Sequence, residues 1–298
     1  MSQESLSTNR LSSTITIGGD LTVNRIGYGA MQLTGPNVWG EYPDRTGGLA
    51  FLKEVVAAGV NFIDTADTYG PFTNEQLIHD ALYPYPQGFV VATKGGFVRG
   101  GPRYEDLDAV GNRMYLRQAA FTSARRLGIK QIDLYYLHTP QAKDVPFEDQ
   151  IRTLKELQDE GVIKHIGLSN ITAEQLHVAQ TIVDVVAVTA HYNIGVRVSA
   201  PLLKAAKESG IVFSPWHPAA LPKGDSAPCF HAVLDPIAEK HGVSLPQLAL
   251  AWQLHRYENM LPIPGTTSLD HLKENLAAAA ISLTQDEVDT ITHVVPEE

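Results

Sequence analysis

The chain has 298 residues, with 23 Lys+Arg against 33 Asp+Glu and a formal net charge of −10. This balance excludes a general nucleic-acid binder or a coat for anionic membranes, though not a local basic pocket for a phosphate. Hydrophobic residues at 44% and charged residues at 19% supply a packed core and exclude disorder as the main state, and the lone Cys229 excludes an internal disulfide or a Cys-rich zinc site.

The first ten residues are polar and carry no apolar h-region. No apolar run approaches the roughly 18 residues that span a bilayer. The expectation is a soluble, cytoplasmic, unprocessed protein, with Cys229 as a packing residue. Ser13–Val23 reads as a hairpin turning at Gly18-Gly19-Asp20. Eight short apolar runs follow: Arg25–Met31, Asn61–Thr65, Phe89–Lys94, Ile132–His138, His165–Asn170, Val185–Asn193, Ile211–His217 and Leu261–Gly265. Helical spacing lies between them, as in Leu49, Leu52, Val55 and Val56, in Ile151, Leu154 and Leu157, and in Leu245, Leu248, Leu250 and Leu254. Gly59, Gly128, Gly161 and Gly210 stand where a C′ glycine closes a helix. The tail Gln285–Glu298 reads as a short acidic surface helix with a solvated end.

Eight βα alternations predict an α/β protein, a (β/α)8 TIM barrel with an N-terminal β-hairpin. A doubly wound sheet would carry Gly-x-Gly-x-x-Gly after the first strand, and none occurs there. One domain is expected, with the hairpin at about 13–23, the barrel at about 24–280 and a short tail, since α/β barrels often exceed the roughly 150 residues of an average domain. The hairpin would plug the bottom of the barrel.

Active sites of such barrels lie at the C-terminal ends of the strands. There stand Asp64 with Tyr69 in the next loop, Lys94, His138, Ser169 with Asn170, Tyr192 with Asn193, and Trp216 with His217. Taken singly, Asp64 reads as a cap or turn residue, Lys94 as a solvated cation or a Schiff-base lysine, Tyr69 as a loop aromatic and His138 as a core histidine. Together they read as a proton donor. Lys94 would lower the phenol pKa of Tyr69 from about 10, Asp64 would hold Lys94, and His138 would bond a substrate oxygen. Gly95–Gly101 lacks the Gly-Lys-Ser/Thr end of a P-loop. It reads as part of a flexible substrate loop, Phe97–Asp108, bearing Arg99 and Arg103, with Leu221–Phe230 as a second, irregular loop. The 11 His show no His-Glu-x-x-His spacing, so no metal site is expected.

Asn61-Phe-Ile-Asp-Thr-Ala-Asp-Thr-Tyr-Gly70, Val91-Ala-Thr-Lys94, Ile132-Asp-Leu-Tyr-Tyr-Leu-His138 and Gly167-Leu-Ser-Asn170 resemble the signature blocks of the aldo-keto reductases. Arg25–Gly40, Ala81–Tyr85 and Gly161–Asn170 are similar to its bacterial pyridoxal reductase branch, also called pyridoxine 4-dehydrogenases. The resemblance implies reversible NAD(P)H-dependent carbonyl reduction. Tyr69 would be the general acid, Lys94 its tuner, Asp64 the support of Lys94, and His138 the group that orients the carbonyl. It assigns Ser169 and Asn170 to the nicotinamide carboxamide, Trp216 to stacking on the ring, and Gly29, Ala30 and Met31 to the backbone beside the cofactor. Thr266, Thr267 and Ser268, with Ile263 and Gly265 before them, match the adenosine-phosphate loop at a helix N-terminus, and Glu274 and Asn275 match the adenine-holding pair.

The chain departs from the family at several positions. Thr189 replaces the usual Gln, His217 the usual Ser, and His271 the usual Arg. Pro218, Ala219 and Leu221 belong to the same cofactor loop, and Lys223 would reach the pyrophosphate or the 2′-phosphate. NADPH/NADP+ is the expected cofactor, with NADH use expected too because His grips a 2′-phosphate less firmly than Arg. Pyridoxal is the leading substrate of a soluble enzyme with no nucleic-acid or membrane partner, a monomer by default. The rival readings are a reductase or dehydrogenase of a bulky ketone or secondary alcohol, a cofactor-sensing regulatory subunit of the same fold, and an aldolase using Lys94.

Overall fold

A computed structural model describes residues 12–224 and 227–295. The hairpin pairs β1 (Thr14–Ile17) with β2 (Leu21–Asn24), antiparallel, with Ile17 opposite Leu21. Alternation puts Ile15, Ile17, Leu21 and Val23 on one face, and all four are buried against Phe62, Val90, Leu134 and Val212. Three of these begin or nearly begin their strands, so the hairpin does plug the N-terminal end of the barrel. Asp20 at its tip pairs with Lys164 and His165, both at 2.7 Å.

The barrel then follows in chain order: β3 (Tyr28–Gly29), α1 (Arg45–Ala57), β4 (Phe62–Asp64), α2 (Thr73–Leu82) and β5 (Val90–Gly95). An excursion of two strands, β6 (Phe97–Arg99) and β7 (Leu107–Ala109), precedes α3 (Arg113–Leu127) and β8 (Ile132–Leu137). Next come α4 (Phe147–Asp159), β9 (Ile163–Ser169), α5 (Ala173–Gln180), β10 (Val185–His191), α6 (Ala200–Ser209) and β11 (Val212–Trp216). Helices α7 (Ala227–His241), α8 (Leu245–Arg256), α9 (Leu269–Ala277) and α10 (Gln285–Thr292) complete the chain. Strands β3, β4, β5, β8, β9, β10 and β11 form one parallel sheet in that spatial order.

The eighth expected strand, Leu261–Gly265, is an extended stave rather than a regular strand. Pro262 and Pro264 have no N–H to donate to a ladder. The stave still closes the barrel: Gly27 and Gly29 donate to the carbonyls of Pro262 and Pro264 at 3.0 and 3.4 Å, and Leu261 donates to the carbonyl of Phe213 at 2.9 Å. Gly29 is needed for this approach, because a Cβ there would lie 2.7 Å from the carbonyl oxygen of Ile263. The first strand shortens to Tyr28–Gly29 because a 3-10 turn begins at Ala30.

Periodic apolar positions face the sheet as expected. Leu52 and Val55 of α1 and Ile151, Leu154 and Leu157 of α4 are fully buried, each such side chain contributing roughly 1.5–3 kcal/mol. Gly59, Gly128, Gly161 and Gly210 all stand at positive φ.

Other expectations are corrected. The segment Phe97–Asp108 is a hairpin, β6 paired with β7, because Arg103 and Asp106 cap the turn between them. Part of the stretch Leu221–Phe230 is helical from Ala227, while residues 225–226 lie outside the described ones, as do residues 1–11 and 296–298. Cys229 is exposed rather than packed, since α7 turns Phe230 and Leu234 inward. The acidic tail is more than a surface helix, as α10 buries Val288 and Ile291.

Glu287 anchors that helix. It accepts from the Thr284 N–H at 2.8 Å and pairs with Lys240 at 2.6 Å and His241 at 3.0 Å. Burial would raise its carboxyl, but these donors hold it at about 2. A lowered acid pKa stabilises the fold above the unfolded value near 4.5 and loses that contribution as pH falls toward 2. Lys240 is largely exposed, so solvent screening trims the effect to roughly 1–2 kcal/mol. Glu287→Gln should therefore lower stability by that amount at pH 7 and by little at pH 2.5. Urea unfolding at the two pH values checks this; equal losses at both would show that charge is not the cause.

Candidate active site

Three neighbouring strands present the central residues. Asp64 ends β4, Lys94 stands in β5, and His138 follows β8. All three are buried. The Lys94 Nζ donates to Asp64 Oδ1 in a short bond and to the Thr65 carbonyl at 2.8 Å. Tyr69 is carried by the loop after β4, which is wired to β5 by Asp67 N–H donating to the Lys94 carbonyl at 3.1 Å. The loop reverses at Gly70, with φ 93°, where a Cβ would fall 1.8 Å from Thr73 Oγ1, so only glycine fits. These constraints set the Tyr69 ring centroid 5.2 Å from Lys94 Nζ and 6.0 Å from the His138 ring, edge to face.

The electrostatics correct one expectation. Burial raises the Tyr69 phenol more than the Lys94 charge lowers it, so its pKa stands above the ordinary 10. Tyr69 is a protonated donor at neutral pH. Burial alone would lower Lys94, but facing Asp64 and Tyr69 raise it, so the ammonium stays charged. Burial, with Lys94 adding to it, holds His138 well below the usual histidine range, so its imidazole is neutral. Its Nδ1 is buried without a partner.

These groups open into a cavity of about 640 Å³ that crosses the C-terminal face of the barrel. Ser169, Asn170, Thr189, Trp216, His217, Pro218 and Ala219 line its middle, Gly29, paired with Asp64, lines it with Met31 and Ile263, and Gly265, Thr266, His271, Glu274 and Asn275 form its far arm at α9. Trp216 is stacked at 4.0 Å and 9° on His191, and its Nε1 donates to Asn170 Oδ1 at 3.1 Å. One indole face is thus covered and the ring orientation is locked.

Five expected cofactor residues do not line the cavity. Ala30 is buried, with its carbonyl accepting from Asn74 Nδ2 at 2.9 Å. Leu221 packs on the apolar core, Lys223 and Thr267 are exposed, and Ser268 is used as the N-cap of α9. Tyr192 is not at the rim either. It is fully buried behind β10, stacked on Trp252 at 5.7 Å, because the strand ends at His191 and the alternation turns Tyr192 outward. Asn193 instead braces the end of β11, donating to the His217 carbonyl at 3.1 Å.

Tyr104 and Leu107 of the wall fall within the expected substrate loop; sequence reading missed Gln32, Val38 and Thr68 of the wall, and Ser244 with Pro246 beside the far arm. The last two had a signal: Ser244 and Gln247 form the capping box of α8. The described residues contain no group of three His, Cys, Asp or Glu able to hold a metal, and no helix long and apolar enough to cross a membrane.

Comparison with known proteins shows the family. The Aldo/keto reductase family model matches residues 25–296. The chain is similar to an uncharacterized oxidoreductase of Schizosaccharomyces pombe, at 42% identity over 90% of this chain and 85% of that one. It is also similar to the pyridoxine 4-dehydrogenase of Escherichia coli, at 38% identity over 94% of this chain and 97% of that one. Among solved structures it resembles the holo form of an aldo-keto reductase from Bacillus halodurans, with a TM-score of 0.82, 27% identity, and coverage of 96% and 97% of the two chains.

Proposed function

We propose, from the premise that the chain belongs to the aldo/keto reductase family, that it reduces a small aldehyde to the alcohol with NADPH and a proton from Tyr69. The observation that carries this reading is the convergence of Asp64, Tyr69, Lys94 and His138 on one cavity whose arms extend past Trp216 to Asn275. A dinucleotide fits that shape. The free face of Trp216, the unpartnered and buried Thr189 Oγ1, the hydroxyl of Ser169 and the side-chain amide of Asn170 would hold a nicotinamide. The N-terminus of α9, with Thr266 and His271, would hold phosphate, and Glu274 with Asn275 the adenine.

When bound, the cofactor supplies the hydride. The protein's residues do the rest. A neutral His138 donates a hydrogen bond that aims the carbonyl oxygen. Tyr69 protonates that oxygen as it gains charge. Lys94 pulls the phenol down from where burial alone would place it, and Asp64 keeps Lys94 charged and aimed. The substrate proposed is pyridoxal, on the likeness to the Escherichia coli enzyme. A reducing compartment such as the cytoplasm suits an exposed free thiol at Cys229.

The test is loss of NADPH absorbance with pyridoxal, a nitrobenzaldehyde and a bulky polycyclic ketone. Fastest turnover of pyridoxal supports the reading. Preference for the ketone would replace the substrate, and no turnover despite cofactor binding would replace the reaction.

His271 tests the cofactor assignment. It lines the far arm at the first turn of α9, where an Arg would grip a 2′-phosphate in a fork. His271→Arg should raise the ratio of NADPH to NADH affinity by roughly tenfold. Equal effects on both cofactors, measured by fluorescence titration, would remove His271 from the phosphate site.

A further inference from the structure

One wall of the cavity carries a charge that the reaction above does not use. Val38, Phe97, Arg99, Tyr104 and Leu107 line it beside Tyr69 and His138. Phe97 stands edge to face on His138, with centroids 4.8 Å apart. Phe97 and Arg99 share β6, and residues two apart on a strand project from the same face roughly 7 Å apart. Arg99 therefore stands one strand repeat beyond the ring that packs on the carbonyl-orienting histidine.

The guanidinium is held in place by neutral groups, with Asp106 acting on it only through charge at longer range. It lies between the rings of Trp39 and Tyr104, 5.5 and 5.8 Å from their centroids. Its Nη2 donates to the carbonyls of Asn37, Arg103 and Pro102 at 3.1, 3.2 and 3.4 Å. These are neutral acceptors. Its Nε is buried with no acceptor at all. The nearby Asp106 is engaged by Arg103, at 2.7 Å to Nη2 and 3.2 Å to Nε. Among the described residues Arg99 forms no ion pair. Elsewhere in the cavity Asp64 and Lys94 neutralise each other, and Glu274 stands in the far arm with His271. The substrate end thus has a net positive wall, with a donor set short of acceptors.

We infer that Arg99 is a specificity-determining residue, and that the preferred substrate is a planar aldehyde bearing an anionic oxygen group, a carboxylate or a phosphate ester, on the side of its ring away from the carbonyl. This rests on the carbonyl-reductase reading and ranks such an aldehyde above pyridoxal, which carries neither a carboxylate nor a phosphate. Phe97 packs the ring, His138 and Tyr69 take the carbonyl oxygen, and Arg99 takes the anion. A carboxylate or phosphate is the ligand that a rigid, aromatic-flanked guanidinium binds best.

The experiment compares kcat/KM for 4-carboxybenzaldehyde, 4-formylphenyl phosphate, 4-methoxybenzaldehyde and benzaldehyde in the wild type, Arg99→Gln and Arg99→Lys. The wild type should favour at least one anionic aldehyde over its neutral counterpart, and this preference should weaken as salt is added. Arg99→Gln should lower the anionic-to-neutral ratio by roughly tenfold or more, chiefly through KM, and Arg99→Lys should recover part of it. Which anion gains tells carboxylate from phosphate. An unchanged ratio in Arg99→Gln overturns the inference. So does an equal fall for neutral and anionic aldehydes, which would mean that Arg99 only braces the hairpin. Calorimetric binding of 4-(hydroxymethyl)benzoate against benzyl alcohol separates the two readings: Arg99-dependent binding without turnover of any aldehyde would retain the anion subsite and discard the reductase.

Discussion

Tyr69→Phe should lower the reduction rate by about 10²–10⁴-fold while leaving NADPH binding nearly intact. The ring keeps its packing against His138, and the loop that carries it is held by backbone bonds from Asp67 to Lys94 and from Gly70 to Val38. Only the transferable proton is lost. Because burial outweighs Lys94 and raises the phenol, the acid form persists at neutral pH. The reductive kcat/KM of the wild type should therefore hold across neutral pH and fall only on the alkaline side, as Tyr69 deprotonates. Stopped-flow hydride transfer and a cofactor titration on the same preparation check both halves. Activity and cofactor affinity falling together would remove Tyr69 from the role of acid, and a fall in rate beginning near pH 7 would contradict the raised phenol.

Lys94→Met should remove reduction as well, and should also destabilise the fold by about 3–5 kcal/mol. Lys94 and Asp64 have side chains only 4% and 5% exposed. Removing the ammonium leaves a carboxylate buried without its counter-charge. That carboxylate must then be protonated, or its strand end must open. Adding Asp64→Asn to Lys94→Met should restore much of the stability, since two neutral groups have little charge left to desolvate, yet restore no activity. Such a cycle, read by urea unfolding and by turnover, separates the two functions of the pair. A loss below about 1 kcal/mol for Lys94→Met would show that water already reaches the pair. Turnover in the double variant would show that the charge on Lys94 is not needed to tune Tyr69.

The site was largely legible because it sits at strand ends, and strand ends are marked by where an apolar run stops. Asp64, Lys94, His138 and Ser169 each close such a run, and a parallel barrel carries all strand ends to one face. The far arm of the cavity was harder to read. Ser268 was expected to face phosphate but caps α9, and Lys223 was expected to reach in but stands outside the wall. Loop residues follow no periodicity, so their direction depends on contacts far away in the chain. Tyr192 shows the same limit at a strand end, where β10 stops at His191, two residues short of Asn193, and the alternation turns the ring into the core.

Local patterning of this sequence determined the hairpin, the alternation of strands and helices, the helix-closing glycines and the identity of the four central residues, because each depends on neighbours within a few positions. Only the tertiary structure decided how the barrel closes at Pro262 and Pro264, and that the segment after β5 folds into a hairpin instead of remaining a loose loop. It also decided that burial overrides Lys94 in setting the Tyr69 phenol, and that Arg99 lines the cavity with no ion pair among the described residues. Those outcomes depend on which distant groups share a low-dielectric space, and that is set by packing across the whole barrel.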